Sequence, residues 1–256
     1  MYPILMYHGV GRTDVSALER FFVPPGLFRE QLGALCAAGY HPMTLRDLLH
    51  RTHPPERPVV ITFDDAFEHL LEDAVPALMQ YGFPATIFVP TAFVGKKAAW
   101  LPGGGAALAV LGPRDLTGLH ACGFEIAAHS RTHAHLDELP QGAARDEIEG
   151  SKRDLEALLG AAVETFAYPF GHHRAETQRL VRAAGYRAAC AVGRRLATAR
   201  DDLTALPRLE VTPWTTPEAL VASLSRPQPG ALTWLTRRRD EAYGSARRSL
   251  RALGLR

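Results

Sequence analysis

Two adjacent carboxylates, Asp64 and Asp65, directly follow the apolar run at residues 59–63. Because this run is rich in β-branched and aromatic residues, it predicts a strand, and the two carboxylates then leave its carboxyl end. Neighbouring residues of an extended chain point in different directions, which allows one carboxylate to bind a metal ion while the other faces a substrate. The same pair can also cap a following helix. The dipeptide alone therefore leaves a catalytic and a structural interpretation open.

Two histidines four residues apart, His129 and His133, follow a second short run at residues 125–128. If the chain forms a helical turn there, residues i and i+4 share a face and both imidazoles can reach one ion. Two neutral imidazoles and one carboxylate are a common open catalytic metal set, compatible with zinc, cobalt, nickel or iron. His135 lies only two residues beyond His133, so we expect it to face elsewhere and to be a neighbour of the site.

A third segment ends a run at residues 165–168 with Pro169, Phe170 and Gly171. A turn of this composition can expose a backbone N–H group toward the same site, which a tetrahedral oxyanion requires. An ordinary strand exit is the alternative interpretation of this segment taken alone.

The elements that must position these residues are short apolar runs alternating with helix-like stretches, which indicates βα units and a parallel sheet. The predicted strands are residues 4–7, 59–63, 85–89, 125–128, 165–168, 188–192 and 208–211. The predicted helices are residues 25–38, 44–49, 72–80, 113–122, 141–159, 175–184 and 217–224. In barrels the chemistry lies where strands end and loops begin. We therefore predict an α/β fold, a distorted (β/α)7-type barrel forming a single domain over residues 1–225.

Two segments interrupt this alternation. Residues 96–112, with a Pro-Gly-Gly-Gly run, are typical of a surface insertion or lid more than of a packed element. Residues 226–230 are a Pro-rich linker to a basic tail, and linker and tail together hold eight Arg against Asp240 and Glu241, a net charge of +6. The tail can lie on an anionic membrane surface or pack on the barrel as a helix. Since the whole chain has a net charge of +2, residues 1–225 sum to 2 − 6 = −4, so the barrel is mildly acidic and nucleic acid is a poor candidate partner.

Three cysteines, Cys36, Cys122 and Cys190, lie among small and apolar residues. An odd number in such surroundings predicts buried thiols rather than a disulfide framework and favours a reducing compartment. The first residues have no basic segment before an apolar one, and no apolar run reaches the length of a membrane span. We expect a cytoplasmic protein, which a tail lying on a membrane would bring into peripheral contact with the inner membrane face.

Taken in order, the motifs resemble those of the polysaccharide deacetylase family of carbohydrate esterases, which share the chitooligosaccharide-deacetylase homology domain. They are Thr-Phe-Asp-Asp at 62–65, His-Ser-Arg-Thr-His at 129–133 and Pro-Phe-Gly at 169–171, with Leu-Met-Tyr-His at 5–8 and Leu-Pro-Arg-Leu at 206–209. The early Tyr-His and the Phe-Ala-Tyr-Pro-Phe-Gly turn are similar to the subgroup that deacetylates exopolysaccharides of N-acetylglucosamine. The resemblance implies a distorted barrel that removes acetyl groups from sugars with a divalent metal, often zinc.

Carried over to this chain, the resemblance implies that Asp65, His129 and His133 bind the metal, with Zn²⁺ as the first choice and Co²⁺, Ni²⁺ or Fe²⁺ also compatible. Asp64 is then the general base. The backbone N–H of Phe170 helps to form the oxyanion hole. The oligomeric state is left undetermined.

The chain departs from the family pattern at two places. Ala167 stands where many members have Arg, and no histidine follows His173 to serve as the late general acid of many members. His8 at the end of the first strand is our candidate acid or substrate contact, with a hydrogen-bonded surface histidine as the alternative. Arg208 is expected to orient Asp64 or bind substrate, unless it forms only a structural ion pair.

We therefore predict a metal-dependent hydrolase that removes an N-acetyl group from an amino sugar in a glycan, glycolipid precursor or glycoconjugate. Two alternatives stay open. A deformylase or amidase acting on a lipid-linked sugar would use the same metal and water, and a catalytically silent barrel would only bind glycan.

Overall fold

The computed structural model describes residues 2–101 and 108–225. The predicted linker and basic tail at residues 226–256 lie outside the described residues. The described strands are β1 (Ile4–Tyr7), β2 (Gly9–Val10), β3 (Phe22–Val23), β4 (His41–Met43), β5 (Pro58–Phe63), β6 (Thr86–Val89), β7 (Glu125–Ala128), β8 (Thr165–Ala167), β9 (Ala188–Cys190) and β10 (Leu209–Glu210). The described α-helices are α1 (Pro25–Ala37), α2 (Leu45–His50), α3 (Ala74–Tyr81), α4 (Pro113–Ala121), α5 (Gln141–Leu159), α6 (Ala175–Ala183) and α7 (Pro217–Ser225).

The main sheet is parallel and has the strand order β10-β1-β5-β6-β7-β8-β9, with β4 paired to the first half of β5. Its two ends approach one another at the segment before β10. There Leu206 N donates to Ala189 O at 2.8 Å and Ala191 N donates to Leu206 O at 2.8 Å, while Leu209 pairs with Leu5 of β1. The sheet thus curls into the distorted α/β barrel that the sequence predicted.

Both faces of the barrel strands are apolar, as expected for parallel strands that are covered on each side. Alternate residues of each strand form an interior cluster, which includes Ile4, Val60, Phe88, Ala127, Ala167 and Cys190. The residues between them, such as Leu5, Ile61 and Phe166, join a larger cluster with the surrounding helices. Because side chains alternate along a strand, Thr62 and Asp64 continue the interior face of β5.

The helices begin and end where the sequence indicated. Pro140 precedes α5, and α3 ends at Gly82, which has a φ of 66°. Glycine adopts this left-handed conformation without strain and so ends the helix before the next strand. The bounds of the seven predicted strands and seven predicted helices agree with the structure to within two residues. The short strands β2, β3 and β4 were not predicted.

The interpretation of residues 96–112 as more like a lid than a packed element is wrong for the residues of this segment that the structure describes. Ala98, Leu101 and Leu108 are buried in one cluster with Phe22 and Phe67. Their apolar side chains pack in this cluster. The glycine-rich composition of the segment did not indicate that packing.

Two of the three cysteine predictions are also wrong. Cys190 is buried in the barrel, whereas Cys36 and Cys122 are exposed near the ends of α1 and α4. The Ala- and Gly-rich surroundings of these two belong to helix ends, which face solvent. Within the described ranges, no helix combines the length and the apolar character needed to cross a bilayer.

Candidate active site

The carboxyl end of β5 places Asp64 and Asp65 in one buried site, each 4% exposed. Asp64 stays on the interior face of the strand. Asp65 and Ala66 have φ angles of 70° and 50°, so the chain leaves the strand through two left-handed residues. The two carboxylates do diverge, but the extended backbone assumed from the sequence is wrong for Asp65. Left-handed conformations are strained for residues other than glycine and cluster at functional sites.

Asp64 forms a bidentate ion pair with Arg208, which lies just before β10. Arg208 Nη1 donates to Asp64 Oδ1 at 2.6 Å and Nη2 donates to Oδ2 at 2.7 Å. Although burial opposes ionisation, the Arg208 guanidinium holds the pKa of Asp64 below its ordinary value. Arg208 itself is 0% exposed, so its side chain cannot contact a bound sugar. The geometry thus shows an ion pair with Asp64, and the role of Arg208 in orienting that carboxylate stays a prediction.

Asp65 and the two histidines converge on one point. Asp65 Oδ1 lies 3.1 Å from His133 Nε2 and 3.8 Å from His129 Nε2. All three ligand atoms lie within 4.8 Å of one another, and all three residues are buried. The sequence argument assumed that the two histidines share one face of a helical turn, and this assumption is wrong. Ser130 and His133 have φ angles of 60° and 55°, and Ser130 Oγ accepts a hydrogen bond from His133 N at 3.0 Å.

The hydrogen bonds of this group fit a divalent metal ion. His129 Nδ1 lies 2.8 Å from the carbonyl oxygen of Ala167, which can only accept, so Nδ1 carries the proton and the Nε2 lone pair faces Asp65. Burial lowers the pKa of His129 to about 4, which keeps the imidazole neutral. Asp65 Oδ1 is buried, and although His133 Nε2 lies 3.1 Å away, no donor among the described residues has hydrogen-bond geometry toward it. An anionic oxygen in that situation needs a cation.

Burial also opposes ionisation of Asp65, yet the imidazoles of His133, His8 and His129 hold its pKa below the ordinary value. The charge of His8 thus contributes to the electrostatics of Asp65. The His8 side chain is partly exposed, and its ring lies 4.5 Å from that of Phe21. This position, at the end of β1, agrees with a contact to substrate, and the role of His8 as general acid stays a prediction.

Phe170 also lies at the site, in a turn with a φ of 60°. Its ring contacts His133 edge to face at 4.6 Å and stacks on His135 at 3.8 Å. The role predicted for the Phe170 backbone N–H stays a prediction, whereas the ring contacts were not foreseen. His135 does not join the three converging ligand atoms, and its ligand atom lies instead with those of Asp137 and Glu138.

Trp100 is the functional neighbour that sequence reasoning missed. Its indole stacks on His133 at 5.0 Å with an interplanar angle of 26°. Trp100 belongs to the irregular segment at residues 96–112, in which no periodicity places a side chain. The lone tryptophan in a glycine- and alanine-rich stretch was the signal available.

A parallel α/β barrel with an Asp-His-His group and an ion-paired carboxylate at its carboxyl end fits a hydrolase that uses a metal ion. The sequence profile of the polysaccharide deacetylase family matches residues 51–189, and the chain belongs to this family. Individual relatives have low sequence identity to the chain, but their similarity covers most of it.

Among curated proteins, YxkH of Bacillus subtilis (strain 168) is 27% identical over 215 residues, which cover 82% of this chain and 71% of YxkH. A poly-β-1,6-N-acetyl-D-glucosamine N-deacetylase of Staphylococcus aureus is 22% identical over 212 residues, 78% of this chain and 71% of that protein. The solved structure of the Streptococcus pyogenes deacetylase PplD superposes with a TM-score of 0.78 at 24% identity, covering 88% of this chain and 98% of PplD. IcaB of Ammonifex degensii superposes with a TM-score of 0.74 at 23% identity, covering 88% and 97%. These superpositions confirm the fold.

Proposed function

We propose that the protein hydrolyses the N-acetyl group of N-acetylglucosamine units in a glycan, with a divalent metal ion held by Asp65, His129 and His133. The observation that carries the proposal is the buried Asp65 Oδ1, which faces two histidine nitrogens and accepts no hydrogen bond from any described residue. Zn²⁺ is our first choice for the ion, because two imidazoles and one carboxylate are a common zinc set. When bound, the ion would act as a Lewis acid on the acetyl carbonyl and on the attacking water.

In this proposal Asp64 is the general base. Arg208 fixes both of its oxygens and keeps the carboxylate ionised at neutral pH, ready to accept the proton of the attacking water. A carboxylate with a lowered pKa is a weak base, so the reaction would depend on a bound metal ion to make the attacking water more acidic. The Phe170 N–H donates to the oxyanion as it forms. His8 donates a proton to the departing amine, and the products are the free amino sugar and acetate.

The substrate class rests on the similarity to the Staphylococcus aureus enzyme, whose name specifies poly-β-1,6-N-acetyl-D-glucosamine. The early Tyr-His and the Phe-Ala-Tyr-Pro-Phe-Gly turn point to the same subgroup. We further propose that the protein works in the cytoplasm, where a precursor or conjugate is a more accessible substrate than a mature wall polymer. Contact of the tail with a membrane stays a prediction.

The test is release of acetate from β-1,6-linked N-acetylglucosamine oligosaccharides and from a panel of other N-acetylglucosamine conjugates. We expect activity that a chelator abolishes, that Zn²⁺ or Co²⁺ restores, and that Asp64→Asn lowers by about 10²–10⁴-fold with the metal content unchanged. Asp146→Asn is the matched control, because Asp146 is exposed on α5. It should behave as wild type.

Two results would contradict the proposal. Release of formate or of another acyl group, without acetate, would identify the deformylase or amidase. A metal-loaded protein that binds the oligosaccharides and releases nothing would be a glycan-binding barrel.

A further inference from the structure

The two histidines of the metal group are held in different ways. The ring of His129 is fixed by the hydrogen bond from Nδ1 to the Ala167 carbonyl at 2.8 Å. In His133 the corresponding nitrogen, Nδ1, is buried and has no hydrogen-bond partner among the described residues. The second nitrogen of a metal-binding histidine is almost always hydrogen-bonded, since that bond fixes the tautomer and the ring orientation. Something else must orient His133.

Aromatic rings surround the His133 imidazole. Trp100 stacks on it at 5.0 Å and 26°, Phe170 meets it edge to face at 4.6 Å, and His129 does so at 4.9 Å. Trp100 provides the parallel contact that fixes the plane of the imidazole. Phe170 is 46% exposed and so is a weaker support.

Trp100 is itself held by ring packing. Phe93 lies 4.8 Å away, and Phe67 is stacked at 6.3 Å with an interplanar angle of 10°. Phe67 is 0% exposed and follows Asp65 by two residues, so the indole is anchored to the loop that carries the carboxylate ligand. The indole Nε1 is buried and has no acceptor among the described residues. Because an unpaired buried N–H is unfavourable, packing and not a hydrogen bond sets the position of this ring.

We propose that Trp100 is a positioning residue for His133, whose imidazole it orients toward Asp65 by stacking, as the Ala167 carbonyl orients His129 by a hydrogen bond. The χ2 rotation of a histidine is broad, so an imidazole without a hydrogen bond can turn out of its plane and carry Nε2 away from the ligand position. The stacked indole restricts that rotation and keeps Nε2 at 3.1 Å from Asp65 Oδ1. The inference rests on the proposed function, because the orientation is useful only if an ion binds there.

The experiment measures the affinity of the full chain, stripped of metal, for Co²⁺. Trp100→Leu removes the stack, Trp100→Phe keeps a flat ring, and Trp214→Leu is the matched control, because Trp214 is 74% exposed. We expect Trp100→Leu to weaken Co²⁺ binding about 10–100-fold, the usual effect of losing a partner that orients a ligand, and to change the visible absorption of the bound Co²⁺. Trp100→Phe should stay within about three-fold of wild type, because a phenyl ring can still stack. Trp214→Leu should bind as wild type does.

Wild-type affinity and an unchanged Co²⁺ spectrum in Trp100→Leu would overturn the inference and leave the proposed function standing. So would a loss in Trp100→Phe as large as that in Trp100→Leu, because the flat ring would then be irrelevant. A wild-type chain that binds no Co²⁺ would overturn the metal site itself. Thermal unfolding of each variant shows whether it is folded.

If Trp100→Leu does not fold, the wild-type chain still tests the inference. In protein labelled with ¹³C-histidine, the His133 ring signal, assigned by its loss in His133→Asn, should be shifted upfield by the indole ring current. A His133 signal at the position of an unstacked imidazole would overturn it.

Discussion

The two ends of the barrel use buried carboxylates differently. At the amino end, Glu125 is 3% exposed, and both of its oxygens accept hydrogen bonds. Arg46 N donates to Oε2 at 2.9 Å, Thr86 Oγ1 donates to Oε2 at 2.8 Å, and Thr165 Oγ1 donates to Oε1. At the carboxyl end, Asp65 is as deeply buried, yet its Oδ1 accepts no hydrogen bond from any described residue.

This difference distinguishes a structural carboxylate, Glu125, from a functional one, Asp65. The donors to Glu125 come from α2, β6 and β8, so this carboxylate ties the start of a helix to the strand ends. Burial nevertheless raises the pKa of Glu125. Asp65, by contrast, faces His129 and His133, which can bind a cation together with it, and it lacks the hydrogen-bond donors that surround Glu125. Burial by itself is therefore a poor guide to a site, and the completeness of the hydrogen bonds is a better one.

Asp64 differs from both, because its partner is a cation from the protein itself. Removal of one member of a buried ion pair leaves the other charge without compensation, which is far more costly than loss of an exposed pair. The carboxyl end should therefore be much more sensitive to single substitutions than the amino end.

The largest effect on stability is expected for Arg208→Met, which leaves Asp64 buried and unpaired. We expect the free energy of unfolding, measured in urea, to fall by about 3–5 kcal/mol. Arg182→Met is the control, because the Arg182–Asp202 pair is exposed, and it should cost about 1 kcal/mol or less. Addition of Asp64→Asn to Arg208→Met should restore part of the loss. Equal costs for the two arginine variants would remove the distinction between the ends of the barrel.

Apolar runs were enough to place the barrel strands, since a strand covered on both faces is apolar throughout. The bounds of α5 agree with the sequence to the residue. Asp65, His129 and His133 could be grouped because each follows the end of a strand of one parallel sheet. Their local geometry could not be predicted, because the left-handed conformations at Asp65, Ser130 and His133 occur without glycine. Trp100 and Glu125 acquire their partners only through tertiary contacts, from segments far apart in the chain.

The next largest effect is expected in acid, where protonation of His129 should lower the stability of the fold. Because burial lowers its folded-state pKa to about 4 from an ordinary 6.5, the unfolded chain binds the proton more readily in that range. His129 therefore contributes its full stability above pH 6.5 and loses it as the pH falls toward 4, a loss of about 3 kcal/mol. Asp64 and Asp65 have lowered pKa values, so their contributions are lost at lower pH.

Urea unfolding of the chelated protein between pH 4 and pH 7 tests this prediction. The unfolding free energy of His129→Gln should vary less with pH in this window than that of wild type. Glu125→Gln should change the curve in the opposite sense, because the raised pKa of Glu125 favours the folded state as the pH falls. A His129→Gln curve parallel to that of wild type would show that this imidazole is not buried in a neutral form.

The smallest effect, and the sharpest contrast, is expected from one substitution made at both ends. Thr165 and Thr62 are both 0% exposed. Thr165→Val removes one donor to Glu125 and should cost about 1.5–3 kcal/mol of stability, the range for a hydrogen bond to a charged group, while kcat for acetate release stays unchanged.

Thr62 Oγ1 donates to Leu5 O at 2.8 Å and accepts from Arg208 Nη1 at 3.1 Å. Thr62→Val should cost a similar amount of stability, but it also frees the guanidinium that orients Asp64, so kcat should fall while KM stays constant. Steady-state kinetics and urea unfolding of the two variants measure both quantities. If Thr165→Val also lowered kcat, the hydrogen bonds at the amino end would reach the site through β8, whose Ala167 carbonyl fixes His129. The two ends of the barrel would then be coupled along that strand, and the satisfied carboxylate would share in orienting the metal ligands.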